Sequence, residues 1–177
     1  MEKTSFDKLL LNTAFCCMVI DSKIDKREVA KIITMCKKFL FYKDFNFQDE
    51  INALLSEINK GAKVFLSYYL EMLNKAVLTE KQELQLIEFA LNTIKADEKI
   101  KFSEVKFFKM IRPILKISND RILDAFPDIG QFLVKGKLSE SILRKITTMY
   151  LDNIELPQFE FISLLEKGSP DKETKEE

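Results

Sequence analysis

The chain carries one unit twice. Asp21 to Val29 reads DSKIDKREV and Asp97 to Val105 reads DEKIKFSEV, and a single shift of 76 residues aligns the motif and its flanks without a gap. Before the motif, Leu10 falls on Leu86, Leu11 on Ile87, Ala14 on Ala90, Phe15 on Leu91 and Met18 on Ile94. After it, Ile32 falls on Phe108, Met35 on Ile111 and Phe39 on Leu115. Apolar positions matched at spacings of three and four mark the buried stripe of an amphipathic helix. The repeated unit is therefore helix, short turn, helix.

In the first copy a helix is expected from Ser5 to Ile20, a turn from Asp21 to Asp25 and a second helix from Lys26 to Phe41. Asp25 can cap that second helix, with Glu28 three positions on completing a capping box. In the second copy Thr79 and Gln82 open a helix reaching Ala96, and the following helix is expected from Ser103 to Leu115. Lys101 stands where Asp25 would be, so Ser103 is the expected substitute cap. Ile24 and Ile100 are expected to pin each turn to the core.

Two connecting helices follow from the stripe Ile51, Leu54, Leu55, Ile58 and the stripe Val64, Phe65, Tyr68, Tyr69, Met72, Leu73, separated at Gly61. Ser118 starts a short helix ending before Pro127, and PDIGQFLVKGK reads as irregular chain. Ile142, Ile146 and Met149 indicate one more helix, whereas ELPQFEF around Pro157 alternates like a short strand. From Gly168 the sequence GSPDKETKEE has no apolar residue and reads as a disordered tail. The expected organisation is a helical domain over 1–117, a mainly helical extension packed on it over 118–167, and a tail over 168–177.

Composition narrows the function more by exclusion than by indication. Four glycines and four prolines in 177 residues favour helices over small β folds. Lysine plus arginine equals aspartate plus glutamate at 28 each, so no net field draws the chain to nucleic acid or an anionic membrane. There is no histidine, which removes the usual base of serine and cysteine hydrolases and the commonest imidazole metal ligand. Cys16, Cys17 and Cys36 form no C-x-x-C pair and read as reduced core residues, in keeping with a cytoplasmic location. The apolar run Leu9–Ile20 is too short to span a membrane, and its counterpart lies mid-chain where no targeting peptide can be. Phosphate-loop, dinucleotide, nucleophile-elbow and zincin motifs are all missing.

A D-x-x-I-x-x-x-E motif that closes one helix and opens the next, twice in an all-helical chain, resembles the TerB-like family (tellurite-resistance TerB and DjlA N-terminal domains) over Ser5 to Ile117. IKADEKIKFSEVKFFKMIRPILKIS follows the family's second turn and the short helix after it. The glycine that the family usually places after each aspartate is replaced here by Ser22 and Glu98. The resemblance implies an all-α fold, a compact bundle of about seven or eight helices built on two hairpins related by a pseudo-two-fold axis. It also implies that Asp21, Glu28, Asp97 and Glu104 gather on one face as candidate ligands of a divalent cation, calcium or magnesium.

A local account of the same four residues competes with a metal site. An aspartate beside a helix end accepts backbone N–H groups of the next turn, and a glutamate in a first helical turn favours the helix dipole. Lys23 and Lys99 put positive charge into the same turns and weigh against a strong cation site. The basic helices that follow (Lys26, Arg27, Lys31, Lys37, Lys38; Lys106, Lys109, Arg112, Lys116) read as solvated outer faces with Phe107 and Phe108 in the core, which disfavours nucleic acid. The aromatic run Phe39 to Phe47 reads as a core corner, or as a docking patch if exposed. The expectation is a non-enzymatic cytoplasmic TerB-like interaction or stress-response module with protein partners, which in its metal-modulated form binds a divalent cation through the acidic residues of the repeated turns. The alternative is a divalent-metal-dependent enzyme using the same acidic cluster.

Overall fold

The computed structural model describes residues 5–39, 46–133 and 139–164. Among these the fold is an all-α bundle of eight helices: α1 (Phe6–Val19), α2 (Lys26–Phe39), α3 (Phe47–Lys60), α4 (Ala62–Lys75), α5 (Glu80–Ile94), α6 (Phe102–Ile111), α7 (Asn119–Ala125) and α8 (Glu140–Asp152). Short 3-10 turns at Arg112–Ile114 and Gly130–Phe132 join the last elements, and the described residues include no strand. No described helix is long and apolar enough to cross a membrane.

The run that resembles a targeting segment is the centre of the molecule. Every residue from Leu9 to Ile20 is buried, including Asn12 and Thr13, as a helix apolar on nearly all sides requires. α1 packs on α2, α3, α4 and α6, and most extensively on α5, its counterpart in the second copy. α2 crosses to α5 while α6 crosses to α1, the pattern of a two-fold exchanging the hairpins. Ala14 and Ala90, matched by the repeat, are both completely buried.

Caps fix most helix starts. Ser5, Asn46, Thr79, Ser118 and Ser139 each accept a backbone N–H from the first turn of their helix, and Gln82 returns the bond at Thr79. α4 turns inward through Leu66, Tyr69, Leu70 and Leu73, whereas Val64 and Tyr68, part of the expected stripe, are exposed. Tyr69 holds α4 to α1 through a hydroxyl pair with Thr13 at 2.8 Å, and the Thr13 hydroxyl donates to the Leu9 carbonyl. The buried Glu83 on α5 accepts the N–H groups of Lys116 and Ile117, fastening the end of the second hairpin.

The segment expected to alternate like a strand is neither strand nor helix. Residues 154–164 lie beside α3, and the backbone at Phe159, Ile162 and Leu164 bonds to side chains of that helix. The polar tail from Gly168 and most of the aromatic run Phe39 to Phe47 lie outside the described residues; Phe47 packs partly against the core.

Because α1 and α5 meet with alanines at matched positions, enlarging either side chain has no void to fill. Ala14→Leu or Ala90→Leu is expected to lower stability by about 1–3 kcal/mol in urea denaturation while helical circular dichroism at low denaturant is retained.

Candidate functional site

Both repeated turns are built in the same way. Asp21 Oδ1 accepts the Lys23 N–H at 3.0 Å, and Asp97 Oδ1 accepts the Lys99 N–H at 3.0 Å. The residue after each aspartate has a left-handed backbone, with φ of 71° at Ser22 and 63° at Glu98. L-residues with a Cβ reach that region at a cost of about 1–2 kcal/mol, which is why glycine is the usual occupant. Glu28 then reaches back to the Asp25 N–H at 3.1 Å, and Glu104 to the Lys101 N–H at 2.7 Å. Asp25 takes the Arg27 N–H and pairs with its guanidinium, as an N-cap should. In the second copy Lys101 occupies the N-cap position, and Ser103, the expected cap, lies inside α6.

The two turns meet at Lys101. Its ammonium pairs with Asp97 Oδ2 at 3.1 Å in its own turn and with Asp21 Oδ2 across the pseudo-two-fold, holding the hairpins together. The Asp21 and Asp97 side chains are 1% and 4% exposed, so this is a nearly desolvated ion triad with only the lysine reaching water. Lys23 and Lys99, expected to supply the positive charge, give only their backbone N–H groups. Ile24 packs partly against the core as expected, but Ile100 is 42% exposed, because its turn is anchored through Lys101.

Glu28 and Glu104 lie behind the triad, both fully buried. Each uses one oxygen on a cap N–H, while Oε1 of each has no hydrogen-bond partner. Burial pushes Glu28 up to about 8, and Asp21 and Glu104 add to the rise against the Asp25 N–H and Lys101. Burial likewise pushes Glu104 up to about 7, opposed by the Lys101 N–H and ammonium. For Asp97 burial works upward, but the Lys99 N–H and Lys101 more than offset it and hold it below the usual carboxylate range. Lys101, although partly desolvated, is held well above the ordinary lysine value by the two aspartates. Arg27 holds Asp25 down to about 2.

Of the four carboxylates named from the sequence, the fold brings Asp21 and Asp97 onto one ammonium and sets Glu28 and Glu104 behind them on the cap N–H groups. A divalent ion would have to take the position that Lys101 holds, and among the described residues no group of three or more His, Cys, Asp or Glu is placed to hold a metal ion. As arranged, the cluster fits a tethered ammonium. Phe107 and Phe108 are buried in the core, as their spacing predicts, while Phe102 at the start of α6 is 82% exposed.

Lys101 is the residue that sequence reasoning undervalued. Its signal was present: it is the one position where the motif breaks from a capping acid to a base, and it lies four residues after Asp97. Missed entirely were Gln48, Asn52 and Asn59, whose spacing of four and seven places three carboxamides on one face of α3.

Glycine at the strained positions relieves the left-handed cost and loses part of the gain to a freer unfolded chain. Ser22→Gly and Glu98→Gly are each expected to raise stability by up to about 1 kcal/mol in denaturant melts. Glu28 and Glu104 have folded values above the ordinary 4.5, so the folded chain binds more protons than the unfolded one between about pH 5 and 8. Their contribution is full below the unfolded value and is lost as pH rises through the folded one. The melting temperature is expected to fall from about pH 5 to about pH 8, and Glu28→Gln to flatten that slope.

No family model, curated protein or solved structure matches the chain.

Proposed function

We propose that the chain is a non-enzymatic interaction module of the TerB-like kind, acting in the cytoplasm on protein partners in a stress-related setting. The observation that supports this reading is the Lys101 triad: the two motif aspartates are engaged from within, each by an N–H of its own turn and both by a tethered ammonium. A catalytic carboxylate needs to face a reacting group, and Asp21 and Asp97 face their own turns and Lys101. The absence of histidine from the sequence points the same way for acid–base and nucleophilic chemistry.

The metal-modulated form of this reading, and the metal-dependent enzyme that is its alternative, both require an ion to compete with Lys101 for Asp21 and Asp97. Calcium, magnesium, manganese and zinc at millimolar concentration are therefore expected to leave the melting temperatures of the wild type and of Asp21→Asn/Asp97→Asn equally unmoved. A rise confined to the wild type would restore the divalent ion and the enzyme reading with it.

A further inference from the structure

The chain's own C-terminal segment is held on α3 as a bound peptide would be. Asn59 accepts the Phe159 N–H at 2.8 Å and donates to the Phe159 carbonyl at 2.9 Å. Asn52 treats Ile162 identically, accepting its N–H at 2.9 Å and donating to its carbonyl at 3.0 Å. Gln48 accepts the Leu164 N–H at 2.7 Å, and the Gln158 side chain donates back to the Asn59 carbonyl at 3.0 Å. Three carboxamides of one helix thus read the backbone of one segment running antiparallel to it.

The spacings match two regular lattices. From Asn59 to Asn52 a helix rises about 10.5 Å, and from Asn52 to Gln48 about 6 Å. The segment covers those distances in three and two residues, Phe159 to Ile162 and Ile162 to Leu164, or about 3.3 Å per residue. That is the advance of an extended strand. α3 therefore presents polar groups at the repeat of an extended chain, and because they bond main-chain atoms they accept many sequences, with selectivity left to the side chains.

The segment in place is an incomplete ligand. Phe159 is buried, but Phe161 is 64% and Leu164 40% exposed. Between the segment and α2 an open groove of about 710 Å³ remains, with Ile24, Val29, Ala30 and Ile33 on one wall and Phe161 and Leu164 on the other. The segment packs Phe159 and Ile162 on the core and turns Phe161 and Leu164 towards the open groove.

We infer that the α3 face is a recognition site for an extended apolar peptide segment of a partner protein, with residues 158–164 as the intramolecular ligand that the partner displaces. The partner segment lies antiparallel to α3, has free N–H groups at two positions three apart, carries an apolar side chain at the Phe159 position, and places a bulkier apolar group over α2. This specifies the surface and partner chemistry of the interaction module proposed above and rests on that reading. The two fail separately: one is read on the response of the hairpin cluster to ions, the other on peptide binding at α3.

The test uses the full chain and a fluorescent peptide with the sequence of residues 156–165. Phe159→Ser/Ile162→Ser removes the anchors of the internal segment and leaves α3 intact. Because an occupied site weakens apparent affinity by the fraction of open molecules, the released variant is expected to bind the peptide about tenfold tighter than the wild type, or more. Adding Asn52→Ala/Asn59→Ala is expected to reverse that gain. Equal affinity of released variant and wild type, or binding indifferent to the asparagines, overturns the proposal. Hydrogen exchange on the wild type supplies a second measurement that needs no variant: the Phe159 and Ile162 amides should exchange by local opening, well before those of α1 and α5. Protection equal to that of the core would make the segment a permanent strap and overturn the proposal as well.

Discussion

A helix with no face for water must be surrounded before it is stable, and the rest of this molecule is arranged to surround α1. Isolated helices of this length are marginal in water, so α1 gains its stability from its neighbours. The second copy of the hairpin supplies the largest share of that cover through α5, and the connecting helices α3 and α4 supply another. Duplication answers a packing problem: one hairpin leaves its apolar helix half uncovered, and a second copy turned about a two-fold covers it with a matching stripe.

Bringing the copies together carries an electrostatic cost that the same symmetry creates. Each turn contributes an aspartate and a glutamate, and the axis that joins the apolar stripes also brings these acids together. Two like charges in a poorly solvated place raise one another's pKa, whereas an ammonium between them favours the ionised form. Lys101 does this for Asp97 while also pairing with Asp21, and the glutamates behind it are left leaning towards their neutral form. Such a bridge is weak evidence for net stability, since desolvation offsets much of the attraction. Its clearer effect is on register, because only one docking of the two hairpins places both aspartates on one ammonium.

The features legible in the sequence are those decided within a few residues. Helix existence, the duplicated hairpin and the caps at Asp25 and Thr79 follow from periodicity and side-chain reach, and they hold in the fold. Illegible were the outcomes decided between distant elements. Ile24 and Ile100 have the same motif position, yet one is packed and the other exposed, because Lys101 changes how the second turn is anchored. The convergence of Asp21, Glu28, Asp97 and Glu104 depends on how two hairpins dock, which no single turn encodes. ELPQFEF has the alternation of a strand because it is extended, but its hydrogen bonds go to a helix's side chains, which periodicity cannot foresee.

The bonds between α3 and the chain end carry information of an unusual kind. Main-chain amides are common to every residue except proline, so the ladder itself places little demand on side chains, and the demand falls on the packed Phe159 and Ile162. What it forbids is proline at Phe159, Ile162 and Leu164, whose N–H groups are the ones used. The segment's single proline, Pro157, stands just outside the ladder, where no amide hydrogen is engaged. With Phe159 and Ile162 packed on the core, the remaining positions of the segment are free to vary while its direction and register on the helix stay fixed.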